Sequence, residues 1–411
     1  MAAARANRAL GVMDAAMARA IETAASEVMD GSRDGEIVVD VFQTGSGTGL
    51  NMNVNEVISR RASEILGSRV HPNDHVNMSQ SSNDVVPTAM RVAAVRSSIT
   101  RAIPALRDLS SALRDLSSRT ASVYKSGRTH LRDALPITMG QEFGAYAFAF
   151  SRDADALEAA LARARELPLG GTAVGTGLNA PEGFAEAATA ELTSIAGVEF
   201  RASPDRFASM RLLTDLVGVS AALRSAALDL LRLSQDLRLM FSGPMTGLNE
   251  VDLPNQAEIA GSSIMPGKTN PVTVEACLQA SAQVMGLDHA VQMAATLGEF
   301  ELSMGIPVAG YDVSLEISLI SEAASKMTKV VEGVVPNVER ARRYAESSPS
   351  LITVISPVIG YERAAEVGKR LARGFSIRDA LRELGFDDRA IDGLLDLGRL
   401  VRPGIPARSS S

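Results

Sequence analysis

The feature that most constrains this 411-residue chain is a set of long segments in which apolar residues recur every three or four positions. Such spacing predicts amphipathic α-helices, and these lengths far exceed that of a typical globular helix. The segments cover residues 88–123, 137–166, 207–240 and 272–335. Pro104 and Pro307 are expected to kink or divide two of them. The sequence therefore predicts an all-α fold with a central bundle of long helices.

Composition narrows the possible partners. Tryptophan is absent and aromatic residues make up only 4% of the chain, which favours helices over sandwiches and disfavours base-stacking platforms. The 41 basic and 48 acidic residues give a formal charge of −7, without a run of lysines or arginines. A nucleic-acid partner is therefore not expected.

The N-terminal residues and the single cysteine indicate the cellular compartment in which we expect the protein. Residues 1–30 alternate alanines with charges and form one predicted helix, without the apolar core of a signal peptide or a membrane span. Cys277 is the only cysteine, which suits a reducing compartment. We therefore expect a cytoplasmic protein without a membrane partner.

Changes of pattern along the chain predict three domains. Polar, glycine-rich stretches surround one short predicted helix at 50–66, and residues 1–78 form the predicted N-terminal domain. The long helical patterns fill a central domain, residues 79–336. After Asn337 the helical patterns become shorter, which predicts a small helical C-terminal domain at 337–411.

Polar loops that end at the start of a predicted helix occur four times, at 45–48, 79–84, 127–130 and 261–271. In the last loop, Asn270 is a predicted N-cap and Pro271 the first helical residue, which places Lys268 near the positive end of a helix. Each loop alone has the ordinary interpretation of a helix cap. Together, with a lysine and a histidine among them, they indicate a site for an anionic substrate, assembled from one subunit or several.

Other kinds of site are disfavoured. Five residues separate Gly261 from Gly267, whereas a phosphate-binding loop has four, and the glycines of 170–177 follow a helical pattern rather than a strand. His71 and His75 have helical ligand spacing, but Pro72 forces His71 out of the helical region. We therefore expect no bound metal.

His130 is the best candidate for a general acid or base, because the pKa of histidine lies near neutrality. The alternative is a histidine that only packs or forms a hydrogen bond. Glu275, in the first turns of the helix after Pro271, is a candidate to orient an imidazole that holds a water molecule. That pairing is a hypothesis.

Six motifs together resemble the class II fumarases of the fumarase/aspartase superfamily, over about residues 1–402. They are 41–48 (VFQTGSGT), 51–56 (NMNVNE), 71–74 (HPND), 79–84 (SQSSND), 127–131 (GRTHL) and 261–271 (GSSIMPGKTNP). The resemblance implies a homotetramer with active sites shared between three subunits. It also implies reversible hydration of fumarate to L-malate, without a cofactor.

Residue roles follow from the same resemblance. It implies that Ser262 is the base that removes the C3 proton of malate, and that His130 and Glu275 manage the water. The implied dicarboxylate pocket comprises Ser46, Thr48, Ser81, Ser82, Asn83, Thr129, Lys268 and Asn270. A second, peripheral dicarboxylate site would comprise His71, Asn73 and Asp74. The lysine and the helix ends suit the negative charge that develops when a proton is removed beside a carboxylate.

Some features depart from the fumarase pattern. Residues 242–250 (SGPMTGLNE) lack the arginine common after the proline, and their end is closer to aspartases. Members usually begin some tens of residues earlier, so the N-terminal domain is expected to be shortened. Aspartate ammonia-lyase and a non-catalytic structural homologue therefore remain alternatives.

Overall fold

A computed structural model describes residues 1–254 and 264–404, and helices dominate it. The α-helices are α1 Ala2–Ala9, α2 Ala15–Met29, α3 Thr48–Leu66, α4 Ser82–Ser97, α5 Ile103–Arg119, α6 Met139–Ala164, α7 Phe184–Ala196, α8 Arg206–Arg211, α9 Thr214–Phe241, α10 Val272–Ala294, α11 Ile306–Glu332, α12 Val338–Ser347, α13 Leu351–Ile359, α14 Tyr361–Leu371, α15 Ile377–Glu383, α16 Asp388–Leu394 and α17 Leu397–Leu400. The predicted all-α class is confirmed.

The strands are short and form two-stranded ladders. The pairs are β1 Tyr124–Thr129 with β2 Arg132–Thr138, β3 Glu166–Leu167 with β4 Arg201–Ala202, β5 Val251–Asp252 with β8 Val335–Pro336, and β6 Gly298–Glu299 with β7 Leu302–Ser303. Only β3 and β4 are parallel. Among the described residues, no helix has both the length and the apolar character needed to cross a bilayer.

The chain forms two compact units. Unit 1 comprises Met1–Leu106, Arg152–Leu230 and Gln279–Ala323, and unit 2 comprises Arg107–Ser151, Leu231–Leu278 and Ala324–Ser411. The boundaries fall inside or at the edges of long helices, so that α5, α6, α9, α10 and α11 each contribute residues to both units. The three domains at 1–78, 79–336 and 337–411 remain a prediction.

The apolar periodicity of the long segments corresponds to buried helix faces. In α9, buried side chains with at most 1% exposure recur at steps of three or four, and include Leu216, Val219, Leu223, Leu230, Leu233 and Leu237. Burying a leucine side chain contributes about 1.5–3 kcal/mol. A buried stripe of this length therefore stabilises the helix more than the weak intrinsic helix propensity of its residues does.

Two predicted helices are divided by identifiable residues. Residues 1–30 form α1 and α2, because Gly11 has a φ of 76° and Asp14 caps the second helix through the N–H groups of Ala16 and Met17. Residues 272–335 form α10 and α11, with the β6–β7 ladder between them. Pro307 is the second residue of α11, where its missing N–H is tolerated, so the expected division of this segment lies just before the proline.

The third division lies in the 88–123 segment. A π-turn at Ser98–Ala102 joins α4 to α5, and Pro104 is the second residue of α5. The expected division near this proline is confirmed.

Unit 1 contains a buried carboxyl cluster contributed by α9, α10 and α11. The Ser220 hydroxyl lies 2.9 Å from carboxyl oxygens of both Asp288 and Glu316, and Arg224 lies 2.6 Å from Asp288. Burial, followed by the charges of Asp288 and Asp312, raises the pKa of Glu316 to about 8, although the Ser220 hydrogen bond and Arg224 oppose this. Glu316 is therefore protonated at neutral pH.

This protonation makes stability depend on pH. The folded chain keeps a proton on Glu316 that an unfolded chain releases near pH 4.5, so the stability contribution falls as pH rises from about 4.5 to about 8. We expect Glu316→Gln to remove this loss, so that the variant gains stability relative to the parent protein as pH rises. Urea unfolding at pH 5.5 and pH 8 measures the difference.

The matched control is Glu322→Gln, which alters a carboxylate on the same helix that is 65% exposed. Its unfolding curves should follow those of the parent protein at both pH values. Parallel pH profiles for Glu316→Gln and the parent would contradict the protonated state.

Candidate functional site

A polar cavity of about 350 Å³ lies in unit 1, where the segments before α3 and α4 meet. None of its described lining residues carries a charge, and hydroxyl and amide groups predominate. The lining residues are Thr48, Asn51, Met52, Asn77, Ser79, Gln80, Ser81, Ser82, Thr172, Ala173, Leu178 and Asn179. Uncharged donors around a small cavity suit an anion that is small enough to reach several of them.

Hydroxyl groups connect the two helix starts. Thr48 begins α3 and Ser82 begins α4, and their hydroxyl oxygens lie 3.0 Å apart. Ser46 extends the chain of hydroxyls, with its oxygen 2.9 Å from that of Thr48. The N–H groups in the first turns of both helices have no partners within the helix ladder, and these helix ends carry partial positive charge. The structure thus brings together Ser46, Thr48 and Ser82, which were predicted from separate motifs.

Ser81 and Asn83 complete this group. Ser81 is the N-cap of α4 and forms a capping box with Asp84. The side-chain amide of Asn83 donates to the backbone oxygen of Ala173, 2.8 Å away, and so connects α4 to the 170–177 loop. The glycines of that loop, rejected as a nucleotide fingerprint, lie beside a wall of the cavity.

Asp84 is a residue that the motif analysis did not select. It is fully buried, and its Oδ2 accepts from the N–H groups of Gly170 and Thr172, each at 2.9 Å. Its Oδ1 accepts from the N–H of Ser81. Burial raises the pKa of Asp84 to about 6 against the lowering effect of these donors, so the carboxylate is ionised at neutral pH. The capping-box spacing from Ser81 was the available sequence signal.

Two buried asparagines on α3 hold another segment that lines the cavity. Asn51 and Asn55, both on α3, donate to the side-chain oxygen of Asn77 at 3.2 and 3.0 Å. Asn77 donates in turn to the backbone oxygen of Gln80. These bonds fix the 77–80 segment relative to α3.

The backbone of Met304 leaves no room for a side chain at Gly45, the first residue of the 45–48 loop. A Cβ atom at this position would overlap the backbone oxygen of Met304. The backbone oxygen of Gly45 also accepts from the N–H of Ile306 at the start of α11. A side chain here would push the loop away and displace Ser46 with it.

Thr129 and His130 lie in unit 2, at the end of a β-hairpin. Thr129 is the last residue of β1, and His130 and Leu131 form the two-residue turn to β2 with φ values of 54° and 57°. Both predicted residues are exposed. The hairpin itself was not predicted, because its strands are short and are interrupted by a register shift between Ser126 and Arg128.

The described end of the 261–271 loop also belongs to unit 2. Lys268 and Asn270 are exposed, and the Lys268 ammonium has no ion pair within residues 1–254 and 264–404. The N-cap prediction was one residue too early: α10 begins at Val272, and the carbonyl of Pro271 accepts the first helical hydrogen bond, from Glu275. Ser262 lies outside the described residues.

Glu275 is half-buried and lies in the first turn of α10. Its Oε1 is 3.6 Å from Nε of Arg238, so its charge has a partner in this unit. Its pairing with His130 stays a prediction.

The residues of the second dicarboxylate motif form a compact turn in unit 1. His71 is extended, as the following proline predicted, and precedes a π-turn at Pro72–Val76. Its Nδ1 accepts from the N–H groups of Asn73 and Asp74, and lies 3.3 Å from an oxygen of Asp74. Within the described part of the chain, no three histidine, cysteine or carboxylate groups are arranged to hold a metal ion.

Comparison with known proteins gives a consistent result over nearly the whole chain. A family model described as "Lyase" matches residues 1–286, and one described as "Fumarase C C-terminus" matches residues 351–402. The class II fumarate hydratase of Saccharolobus solfataricus is 58% identical over 406 residues, which cover 98% of this chain and 92% of that protein. The class II fumarate hydratase of Corynebacterium efficiens is 46% identical over 390 residues, covering 94% and 82%.

Solved structures agree. A class II fumarase from Schistosoma mansoni superposes with a TM-score of 0.92 at 35% identity, covering 98% of this chain and 88% of that one. A structure described as fumarate lyase:delta crystallin from Brucella melitensis, bound to cobalt, gives the same TM-score and coverages at 42% identity. The fold predicted from the sequence is thereby confirmed.

The role of Asp84 generates a prediction. Asp84→Ala removes the acceptor of three backbone N–H groups, and unsatisfied buried donors cost about 1–3 kcal/mol each. We expect a loss of roughly 3 kcal/mol or more in the free energy of unfolding, measured by urea denaturation.

Asp205→Ala is the control, because Asp205 caps α8 through one exposed N–H. It should cost only about 1 kcal/mol. Equal losses for the two variants would show that Asp84 is an ordinary cap.

Proposed function

This chain belongs to the class II fumarate hydratase family, and we propose that it catalyses the reversible anti-addition of water to fumarate, giving L-malate. The observation that carries the proposal is the 58% identity over nearly the full length of a class II fumarate hydratase. The uncharged, donor-rich cavity supports it independently, because a small dicarboxylate needs several N–H and O–H donors around each carboxylate.

The chemistry requires stabilisation of developing negative charge. Removing the C3 proton of malate leaves a carbanion whose charge spreads into the adjacent carboxylate, which then carries two negative charges. Donors fixed in advance at that position lower the barrier more than donors that must reorganise. Thr48 and Ser82, at the positive ends of α3 and α4, are suited to this task, with Ser46, Ser81 and Asn83 beside them.

The remaining roles are assigned to the other motifs. Ser262 removes the C3 proton, and Lys268 and Asn270 bind a carboxylate and stabilise the serine alkoxide, since serine is a weak base at its ordinary pKa. His130, oriented by Glu275, exchanges protons with the water that leaves or adds, and Thr129 contributes to the pocket. No cofactor enters this scheme.

Assembly and location follow the same interpretation. We infer a cytoplasmic homotetramer with active sites shared between three subunits, and the domains 1–78, 79–336 and 337–411. The separation of the four predicted site loops along the sequence supports a site that is assembled in space from several segments. His71, Asn73 and Asp74 are proposed as a second, peripheral dicarboxylate site.

The direct test is a substrate assay of the purified protein. Fumarate absorbs in the ultraviolet because its double bond is conjugated with both carboxylates, so its appearance from L-malate is easily followed. We expect turnover of L-malate and none of L-aspartate. Activity on aspartate alone would identify an ammonia-lyase, and activity on neither would leave a structural homologue.

Ser262→Ala tests the base. We expect turnover to fall by a factor of about 10³ or more while the protein stays folded, because the alanine variant lacks the proton acceptor. Ser118→Ala, which alters an exposed serine bonded to the backbone of Arg114, should retain full turnover. Near-normal activity of Ser262→Ala would show that another group is the base.

Lys268→Met tests the cation. A hydrogen bond to a charged group contributes about 1.5–3 kcal/mol, so succinate, an unreactive dicarboxylate, should bind about 10- to 100-fold more weakly. Lys369→Met, which removes an ammonium that is 69% exposed and paired with Glu366, is the matched control. Unchanged affinity for succinate in Lys268→Met would remove this lysine from the pocket.

A further inference from the structure

At the tip of the β1–β2 hairpin, His130 has a backbone conformation that is unfavourable for a residue with a side chain. His130 and Leu131 both adopt the left-handed region, and Thr129 pairs with Arg132 across the turn. Two positive φ values in a two-residue hairpin turn define the I′ type, which strongly prefers asparagine and glycine. Each non-glycine residue in this region costs about 1–2 kcal/mol. Something outside the turn must therefore stabilise it, especially since a two-stranded hairpin is marginal alone.

Ion pairs with carboxylates, one of them fully buried, hold strand β1 of the hairpin. Arg128, two residues before His130, donates to both carboxylate oxygens of Glu250, at 3.0 and 2.8 Å. Lys125, on the same strand, lies 3.0 Å from Glu250 and 2.5 Å from Glu142. Glu250 is 0% exposed and Lys125 1% exposed, so water screens these contacts little. Two cations and two carboxylates balance one another.

The partners of Arg128 are themselves fixed. The N–H of Glu250 donates to the backbone oxygen of Met240, and its backbone oxygen accepts from Asn337, both at 2.8 Å. The guanidinium groups of Arg128 and Arg340 lie 5.8 Å and 5.3 Å from the centre of the Tyr344 ring. A planar guanidinium that donates through two N–H groups to one carboxylate has little freedom to rotate, and the nearby aromatic ring adds a cation–π attraction.

From this geometry we infer that Arg128 and Glu250 are positioning residues for His130. The inference rests on the proposed function, in which His130 exchanges protons with water. The bidentate bond fixes the end of β1, and the two-residue turn transmits that position to the imidazole. Within the described residues, no hydrogen bond to the His130 side chain could do this instead. Charge balance alone would not require an arginine, since Lys125 already meets Glu250 with a simple ammonium.

The test is Arg128→Lys, which keeps the charge and removes the bidentate bond. Displacing a catalytic group by about 1 Å can cost up to about 100-fold in rate. We expect kcat for L-malate to fall by about tenfold or more, with KM changed less than about threefold. Hydrogen exchange of residues 124–138, followed by mass spectrometry, should accelerate while exchange in unit 1 stays unchanged.

A double-mutant cycle with His130→Asn separates positioning from general damage. If Arg128 acts through His130, adding Arg128→Lys to His130→Asn should lower kcat by less than about twofold further. Arg342→Lys, in an exposed ion pair with Glu346 on the helix that carries Tyr344, should change neither kcat nor exchange. Glu250→Asp should reproduce the kcat loss of Arg128→Lys, because the shorter side chain cannot reach both guanidinium nitrogens unchanged.

Three results would overturn the inference: unchanged exchange of the hairpin, unchanged kcat, or an equal loss of kcat in the His130→Asn background. Failure of the proposed function has a different signature, because a parent protein inactive on malate would still show whether Arg128→Lys loosens the hairpin. Accelerated exchange at 124–138 in such a protein would support the anchoring and reject only the hydratase reaction.

Discussion

Exclusion of water from one face of each long helix is the interaction on which the rest of the structure depends. The stripe from Leu216 to Leu237 on α9 shows its extent, since these side chains are almost completely removed from solvent. Packing of this kind fixes helix axes closely, because protein interiors are as dense as organic crystals. Fixed helix axes also fix the positions of the residues at the helix ends. The hydroxyls of Thr48 and Ser82 therefore lie within hydrogen-bond distance, although 34 residues separate them in the chain.

Buried carboxyl groups are stabilised in three different ways in this chain. Asp84 stays ionised because three backbone N–H groups donate to it, whereas Glu250 forms ion pairs with two cations. Glu316 has weaker partners, and it keeps its proton because a buried negative charge there would be poorly stabilised. The first two groups hold segments beside predicted site residues. An ionised group with fixed partners orients its neighbours, whereas a neutral one tolerates more freedom.

Much of the fold could be predicted from the sequence, because apolar periodicity over 20 or more residues has few alternatives. The helix boundaries were less predictable: Gly11 and Asp14 divide the first predicted helix, and Pro104 and Pro307 each lie in the first turn of the helix that follows a division. The β1–β2 hairpin was missed because its turn contains histidine and leucine where glycine or asparagine would signal it. Ser46, Thr48, Ser81 and Ser82 were predicted together from motifs; the last three line one cavity, and the Ser46 hydroxyl lies beside that of Thr48. Apart from Ser81, the donors to the Asp84 carboxylate and the cations paired with Glu250 lie 86 to 125 residues away in the chain, so local patterns could not reveal them.

The turn at His130 and Leu131 has a consequence for the evolution and engineering of this chain. Glycine at position 131 would relieve backbone strain and raise folding stability, yet it would also widen the range of directions that the neighbouring imidazole can take. If His130 has the role proposed above, selection for heat resistance and selection for a fixed imidazole direction favour opposite substitutions at this position. A search for stabilising substitutions guided by unfolding temperature alone would select glycine at this turn. Under the proposed role of His130, the resulting variant would be more stable and turn over substrate more slowly.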